Sequence, residues 1–406
     1  MSPWQLPAFR WLWCSTLAST AGQGMERTAT AWLALQAGGG AFAVGLVLAA
    51  RMLPSLLFGL AAGTVADRID RRRQLLAVGG AICCLMAAAS WWIRSGPVYV
   101  WQVVAIAFAL GCLQVFDTPA RQALVLDTVR AEAAQRALAL NALASRLALA
   151  FGALIAGALI PRGGVPSCYL AIAVASGLAA VLVVPLRVPR QRRGRLAHPP
   201  FLRALREAAR LVVDIPAVRT LSSAGIACEI FAFSHSSALP IVAEDVLRAG
   251  AEGLGTLNAA VALGGTVAVT LLSLLPERVR REPLLGAVFV GYGLALLALS
   301  AMRALALAAV VLVVIGLCAG AFDVLQQTLI QLAVPDDQRG RAVGIWILGL
   351  GSAPFGHLEM GLLAANLGAP EALLINGAVT VVAASLLTRV PDYRWNPRPR
   401  PMKSEP

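Results

Sequence analysis

Residues 63–73 read Gly63-Thr-Val-Ala-Asp67-Arg68-Ile-Asp70-Arg71-Arg72-Arg73, and they stand between two long apolar stretches, about 41–66 and 75–93. Each stretch is long enough to cross a bilayer, because roughly 20 apolar residues rising 1.5 Å apiece span the hydrocarbon core. A short loop this rich in arginine stays on the cytoplasmic side when its flanking segments insert. The run therefore reads as a tight turn between two membrane spans and fixes the orientation of both.

Composition agrees. Of 406 residues, 58% are hydrophobic and 14% charged, where a soluble domain carries about 25% charged residues. The mean hydropathy is +0.74. A net charge of +13 points to nucleic acid in a soluble protein, but here the arginines are distributed as topology signals, and no nucleic-acid partner is expected. The N-terminus leads straight into a long apolar stretch without a small-residue cleavage site, so the first span is expected to stay in place. Cysteines 14, 83, 84, 112, 168, 228 and 318 lie scattered through apolar segments with no C-x-x-C spacing. They read as buried free thiols rather than as disulfides or metal ligands.

Apolar stretches fall near 11–36, 41–66, 75–93, 98–123, 137–160 and 168–186, then near 217–240, 253–275, 284–301, 305–331, 342–364 and 371–389. Twelve spans with both termini in the cytoplasm give a strong asymmetry. Of the 34 Lys and Arg residues, only Arg94, Arg162, Arg248 and Arg303 fall in outer loops, Arg27, Arg51 and Arg146 lie inside spans, and the remaining 27 lie inside the cell. Adding or losing one span inverts every later loop. The chain is thus expected to be an all-α membrane protein with a six-helix bundle at 1–186, a cytoplasmic basic linker at 187–216, a second six-helix bundle at 217–390 and a cytoplasmic tail at 391–406. The linker carries eight arginines, and the spacing of Phe201, Leu202, Leu205, Ala209 and Val212 predicts an amphipathic helix on the membrane surface over 199–213. The proline-rich tail is expected to be disordered.

The halves resemble each other. Phe116-Asp117 recurs as Phe322-Asp323, with Cys112 matching Cys318, and Asp67-Arg-Ile-Asp-Arg71 has an echo at Glu277-Arg-Val-Arg-Arg281. Such parallel repeats are related by an axis along the membrane normal, with a substrate site at mid-depth between them.

The loop at 63–73 is similar to the Gly-x-x-x-Asp-Arg-x-x-Arg-Arg pattern between the second and third helices of the major facilitator superfamily. Three segments resemble the superfamily's bacterial drug- and siderophore-exporter branch, to which the enterobactin exporter and macrolide efflux proteins belong. They are Phe116-Asp117-Thr-Pro119-Ala-Arg121-Gln122-Ala, Asp67-Arg-Ile-Asp70-Arg-Arg-Arg73 and Val334-Pro-Asp-Asp-Gln-Arg339-Gly-Arg341. The resemblance implies two pseudo-symmetric six-helix bundles and a secondary active exporter in the bacterial inner membrane. It also implies a cytoplasmic latch made by Gly63, Asp67, Arg68, Arg71 and Arg72 with Asp117 and Arg121. Asp67 is expected at a helix N-terminus, where the helix dipole favours a negative charge. Many drug–proton antiporters carry Gly-Pro in span five, whereas this chain has Gly152-Ala153.

An ionisable group at mid-bilayer costs at least ~2.5 kcal/mol and needs a partner or a water-filled cavity. Glu26, Arg27, Arg51, Arg146, Asp117, Glu229, Asp323 and Glu359 all fall in apolar stretches. Burial favours the neutral form of a carboxyl, the property of a proton-carrying group. Glu26, Arg27, Arg146, Glu229 and Asp323 are therefore candidates for proton coupling or for lining a substrate cavity. The alternative for Glu26 is a permanent ion pair, with Arg146 as the partner. Three first-half arginines against Glu26 favour an anionic or metal-chelating substrate. His235 and His357 read as titrating groups or as packing and hydrogen-bonding residues.

No G-x-x-x-x-G-K-[ST] loop occurs, so ATP hydrolysis by this chain is not expected. No Ser-His-Asp arrangement and no His/Cys cluster suggests catalysis or a cofactor. The expected function is export of an amphipathic small molecule, a siderophore or drug-like compound, against proton entry by a monomer. A broad multidrug or macrolide pump and a non-transporting permease-like sensor are the alternatives. The topology is open to direct test in intact cells. A cysteine placed at Gly163 should react with an impermeant maleimide from outside, and one at Arg193 should not.

Overall fold

The computed structural model describes residues 3–68, 70–129, 133–186, 210–276, 279–335, 338, 344–346 and 349–389, with the backbone alone at 60–68 and 388–389. Its elements are helices, with no strand among the described residues. In chain order they are α1 (Pro7–Ala34), α2 (Gly40–Arg68), α3 (Arg71–Ser95), α4 (Val100–Thr128), α5 (Ala134–Val183), α6 (Pro216–Ala227), α7 (Gly250–Ser273), α8 (Arg281–Ala301), α9 (Leu305–Leu332), α10 (Ala353–Leu367) and α11 (Ala369–Arg389). The expected amphipathic helix up to residue 209, the tail and nearly all of the loop at 336–343 lie outside the described residues.

Nine helical stretches are long and apolar enough to cross a membrane among the described residues. Two of them, Pro7–Gly59 and Ala134–Val183, run to 53 and 50 residues, about twice what a bilayer needs. Each breaks at a glycine. Gly38 (φ 83°) and Gly40 (φ 58°) turn the chain between α1 and α2, and Gly164 (φ 72°) breaks α5 into two arms between Pro161 and Pro166. Such left-handed backbone suits glycine, which has no Cβ to clash. Of the expected span at 342–364, residues 344–346 and 349–364 are described, the latter running into α10.

Two expectations change. Asp67 does not head a helix, because α2 continues through Arg68 and leaves it in the last turn. The cap belongs to Asp70, whose carboxylate accepts from the Arg73 amide at 3.1 Å and opens α3. Asp70 stands just ahead of the helix, where a side-chain oxygen reaches an orphan amide. The cysteines are all free, and Cys168, Cys228 and Cys318 are buried, but Cys14 and Cys84 are exposed. Lipid surrounds an apolar thiol as well as a protein core does, so polarity alone does not separate these positions.

Helix packing rests on close backbone approach. A Cβ on Gly24 would strike the Leu149 carbonyl, and one on Gly152 would strike that of Ala21, so α1 lies directly against the first arm of α5. Gly22 and Ser15 face the second arm, where the Ser15 hydroxyl donates to the Ala179 carbonyl at 2.7 Å. Gly111 of α4 packs on the Arg51 carbonyl of α2, and in the other half Gly316 of α9 packs on the Val261 carbonyl of α7. Likewise α3 packs on the second arm of α5, and α8 packs on α11. The same pairings recur in both halves, as a repeat requires.

The halves meet through two further glycine contacts. Gly157 of α5 lies on Gly255 of α7, and Gly45 of α2 lies on Gly361 of α10. Both sit toward the end that carries the turns at 35–40, 164 and 368, opposite the end that carries Arg71–Arg73. Small residues make such approach possible in lipid, where no hydrophobic force drives helices together. Gly152→Leu should therefore destabilise the protein by more than ~1–3 kcal/mol, because the obstruction is backbone. Gly80, with open space at its Cβ position, should accept alanine without loss, as checked by thermal unfolding in detergent.

Candidate functional site

Helix packing brings Glu26 of α1 against Arg51 of α2. Arg51 Nε donates to Glu26 Oε2 at 2.9 Å and to Oε1 at 3.1 Å, and its Nη2 lies 2.8 Å from Oε2. The same Nη2 donates to Gln114 Oε1 of α4 at 2.6 Å. The side chains of Arg51 and Glu26 are 5% and 1% exposed. This forked geometry is the strong form of a charge-assisted hydrogen bond. The sequence-based partner Arg146 is thus replaced by Arg51, and the reason is helix direction. Residue 51 runs beside residue 26 in the antiparallel α1–α2 pair, while Arg146 points toward α7 at Gly265. Arg51 stood out in the sequence only as a charge within a span, and Gln114 gave no signal.

A crevice opens beside this cluster within the N-terminal half, lined by Gln23, Glu26, Gln114, Asp117, Ser19 and Ser176 among others. At its far side Arg121 pairs with Asp117 on the same helix, Nε–Oδ2 and Nη2–Oδ1 both at 3.1 Å. Arg121 Nη1 also donates to the Ser15 hydroxyl at 3.1 Å.

Arg27 follows Glu26 but emerges on another face. It is exposed, although Met25, Glu26, Thr28 and Ala29 around it are buried. Its neighbour Thr28 accepts from Asn258 of α7 at 3.1 Å, across the boundary between the halves. His357 of α10 lies within electrostatic reach of both Arg27 and Arg51. Arg27 thus opens into the space between the halves rather than toward lipid. The C-terminal half carries acids of its own. Asp323 of α9 lies within electrostatic reach of Arg146, with the Trp346 indole beside it, and Glu229 is close to Asp323. Arg146, Glu229 and Asp323 are each half-buried.

Glu229 occupies an irregular stretch. After α6 the chain passes through a π-turn at Cys228–Ala232, a 3-10 turn at Phe233–Ser237 and a second π-turn at Val242–Val246. Such departures inside a helix concentrate at functional sites. His235 and His357 are buried in hydrogen bonds. His357 Nδ1 meets the Ser237 hydroxyl at 2.9 Å, and His235 Nδ1 meets the Ala232 carbonyl at 2.8 Å and the Tyr292 hydroxyl at 3.3 Å. Glu359 Oε2 accepts from Asn376 at 3.0 Å.

At the arginine-rich end, Arg71 pairs with Asp127 near the end of α4. Arg72 donates to the carbonyls of Val183 and Val184 at the end of α5. Gln74 donates to the Phe116 carbonyl at 2.9 Å. The start of α3 is thus tied to the ends of α4 and α5. Asp127 is a partner that sequence reading did not single out. The side chains of Asp67 and Arg68 lie outside the described residues, and of Gly63 the backbone alone is described, within α2.

Residues 1–400 match the family described as transmembrane secretion effector. The multidrug efflux pump Tap of Mycobacterium tuberculosis is 28% identical over 403 residues, 96% of this chain and 94% of that protein. The staphyloferrin A transporter of Staphylococcus aureus is 23% identical over 358 residues, 86% of this chain and 88% of that one. A bacterial homolog of the human lysosomal transporter Spinster, solved inward-facing and unoccupied, superimposes with a TM-score of 0.70 at 15% identity, covering 97% of this chain and 99% of its own. A POT family transporter in complex with 5-aminolevulinic acid gives 0.74 at 11% identity, covering 94% and 96%. These are transporters, not enzymes. The chain belongs to the transmembrane secretion effector family of the major facilitator superfamily, whose members are multi-pass membrane transporters.

Proposed function

We propose that this protein is a monomeric secondary exporter of the bacterial inner membrane, with both termini in the cytoplasm, which moves an amphipathic small molecule outward against proton entry. The observation that carries the coupling step is the buried Glu26–Arg51 pair. Arg51 lies on the helix whose Gly45 meets Gly361 of the other half, six residues away or about 9 Å along the helix. A proton on a Glu26 carboxylate oxygen removes the charge that holds Arg51, and α2 is then released to change its contact with α10. The reverse step returns the proton to the side now open. Family relatives that move a siderophore and drugs support an amphipathic substrate of one of those kinds. Growth under iron limitation against growth on a drug panel separates the two.

The same pair supports a second reading, a fixed brace between α1 and α2. Export in energised vesicles, normalised to membrane protein, divides the readings. Under the coupling reading Glu26→Gln abolishes export driven by a proton gradient and leaves downhill movement, because the amide keeps a hydrogen-bonding group beside Arg51. Under the brace reading the variant strands a buried guanidinium and lowers the amount of folded protein, a loss of ~3–5 kcal/mol. Full proton-driven export by the variant excludes Glu26 and turns attention to Glu229 and Asp323.

The loop at 63–73 is proposed as a latch that biases one access state. Support comes from the superfamily pattern and from the ties of Arg71 and Arg72 to the ends of α4 and α5. Asp67→Asn should then lower transport severely without lowering membrane abundance. A latch of a few kcal/mol shifts two-state populations by orders of magnitude. Normal transport by this variant reduces the loop to a topology signal.

A further inference from the structure

The charges buried in this molecule separate by half. In the N-terminal half Glu26 with Arg51 and Asp117 with Arg121 form closed pairs. What remains of that half toward the cleft is cationic, namely Arg27 and Arg146. In the C-terminal half Glu229, Asp323 and Glu359 lie within the helical stretches, while the described arginines, at 219, 248, 280, 281, 303 and 389, stand at helix ends or in turns. Glu359 is held by Asn376 and Asp323 faces Arg146. Arg27 in the N-terminal half and Glu229 in the C-terminal half make no hydrogen bond or ion pair among the described residues, and Arg146, which makes none either, has Asp323 within electrostatic reach. Arg27 is exposed and Glu229 half-buried.

We propose that the cleft takes an amphoteric substrate, a single molecule bearing both an anionic group and a protonated amine, with the anion at Arg27 and the ammonium at Glu229. The proposal rests on the reading of this cleft as the export site. In a low-dielectric cleft a charge left unpaired is expensive. A purely anionic ligand satisfies Arg27 and adds repulsion at the wall of Glu229 and Asp323. A purely cationic one does the opposite. A guanidinium suits a carboxylate because its planar fork donates two parallel hydrogen bonds. A carboxylate half-buried beside a second carboxylate suits a compact ammonium donor. An amphoteric ligand alone meets both walls and remains neutral overall, which lowers the cost of carrying it through the membrane.

The test is binding by the purified full-length protein in detergent, measured by titration calorimetry, with two matched series. Each series has an amphoteric parent, its ester (cation only) and its N-acyl derivative (anion only). The parents are the fluoroquinolone ciprofloxacin and the dipeptide leucyl-phenylalanine. At least one parent should bind about tenfold or more tighter than both of its derivatives, since tenfold corresponds to ~1.4 kcal/mol. Arg27→Gln should bring that parent to the affinity of its ester in the same variant, with the ester bound at least as tightly as by the unaltered protein because a repulsive charge is gone. Glu229→Gln should bring it to the affinity of the N-acyl compound in the same variant, with that compound likewise bound at least as tightly. The retained ligand in each case reports that the variant is folded, and Glu229→Asp serves if Glu229→Gln is not recovered as a monodisperse peak. Equal binding across both series overturns the proposal. So does loss of all three ligands by the same factor in a folded variant, or binding of derivatives without either parent. Binding needs no gradient, so charge-selective binding without proton-driven export in vesicles rejects the antiport reading and leaves this one standing.

Discussion

A hydrocarbon layer offers neither a hydrogen bond to a backbone amide nor a counter-charge to a side chain, and this constraint orders the whole molecule. Backbone groups are satisfied inside helices, so the described residues form helices throughout. Side-chain charges are satisfied pairwise or placed on the cleft. The Glu26–Arg51 pair meets the constraint most fully, with Gln114 taking the remaining guanidinium contact. It links α1, α2 and α4, the helices that also carry Arg27, Gly45 and Asp117. A change of charge at that point therefore bears on the cleft, on the contact between halves and on the crevice beside Asp117.

Association of the helices follows from the same absence of water. Nothing pushes apolar helices together in lipid, so contact depends on how near two backbones can come. Glycine decides this at Gly24 and Gly152 within one half, and at Gly157–Gly255 and Gly45–Gly361 between halves. The inter-half contacts of α5 with α7 and of α2 with α10 are comparable in extent to pairs such as α2 with α4 or α8 with α11 within a half, and small residues line them at these glycines.

The chemistry of the cleft changes once partners are known. Counted along the chain, three arginines of the first half outweigh Glu26 and suggest an anionic ligand. In space Arg51 is spent on Glu26, Arg146 lies within electrostatic reach of Asp323, and Glu229 stands near Asp323 in the second half. Under the amphoteric reading, polarity between the halves, rather than net positive charge, is the property that a ligand meets.

The sequence by itself determined class, helix positions and repeat. Apolar length and arginine asymmetry are one-dimensional quantities, and Gly63–Arg73, Phe116-Asp117 and Phe322-Asp323 carry family patterns in consecutive residues. It also marked Glu26, Arg27, Arg146, Glu229 and Asp323 as charges in need of an explanation, since their cost depends on depth in the membrane and depth follows from position in a span. Only the tertiary structure decided which charges meet. Arg51 rather than Arg146 faces Glu26, Asp127 is a partner of Arg71, and Asp70 rather than Asp67 caps α3. The physical reason is that a pairing depends on the azimuth and axial offset of two helices. Those are set by glycine contacts such as Gly111 on Arg51 and Gly24 on Leu149, between residues far apart in the chain. The irregular turns from Cys228 to Val246 were equally illegible, because an apolar stretch has the same composition whether its backbone winds as an α-helix or departs from one.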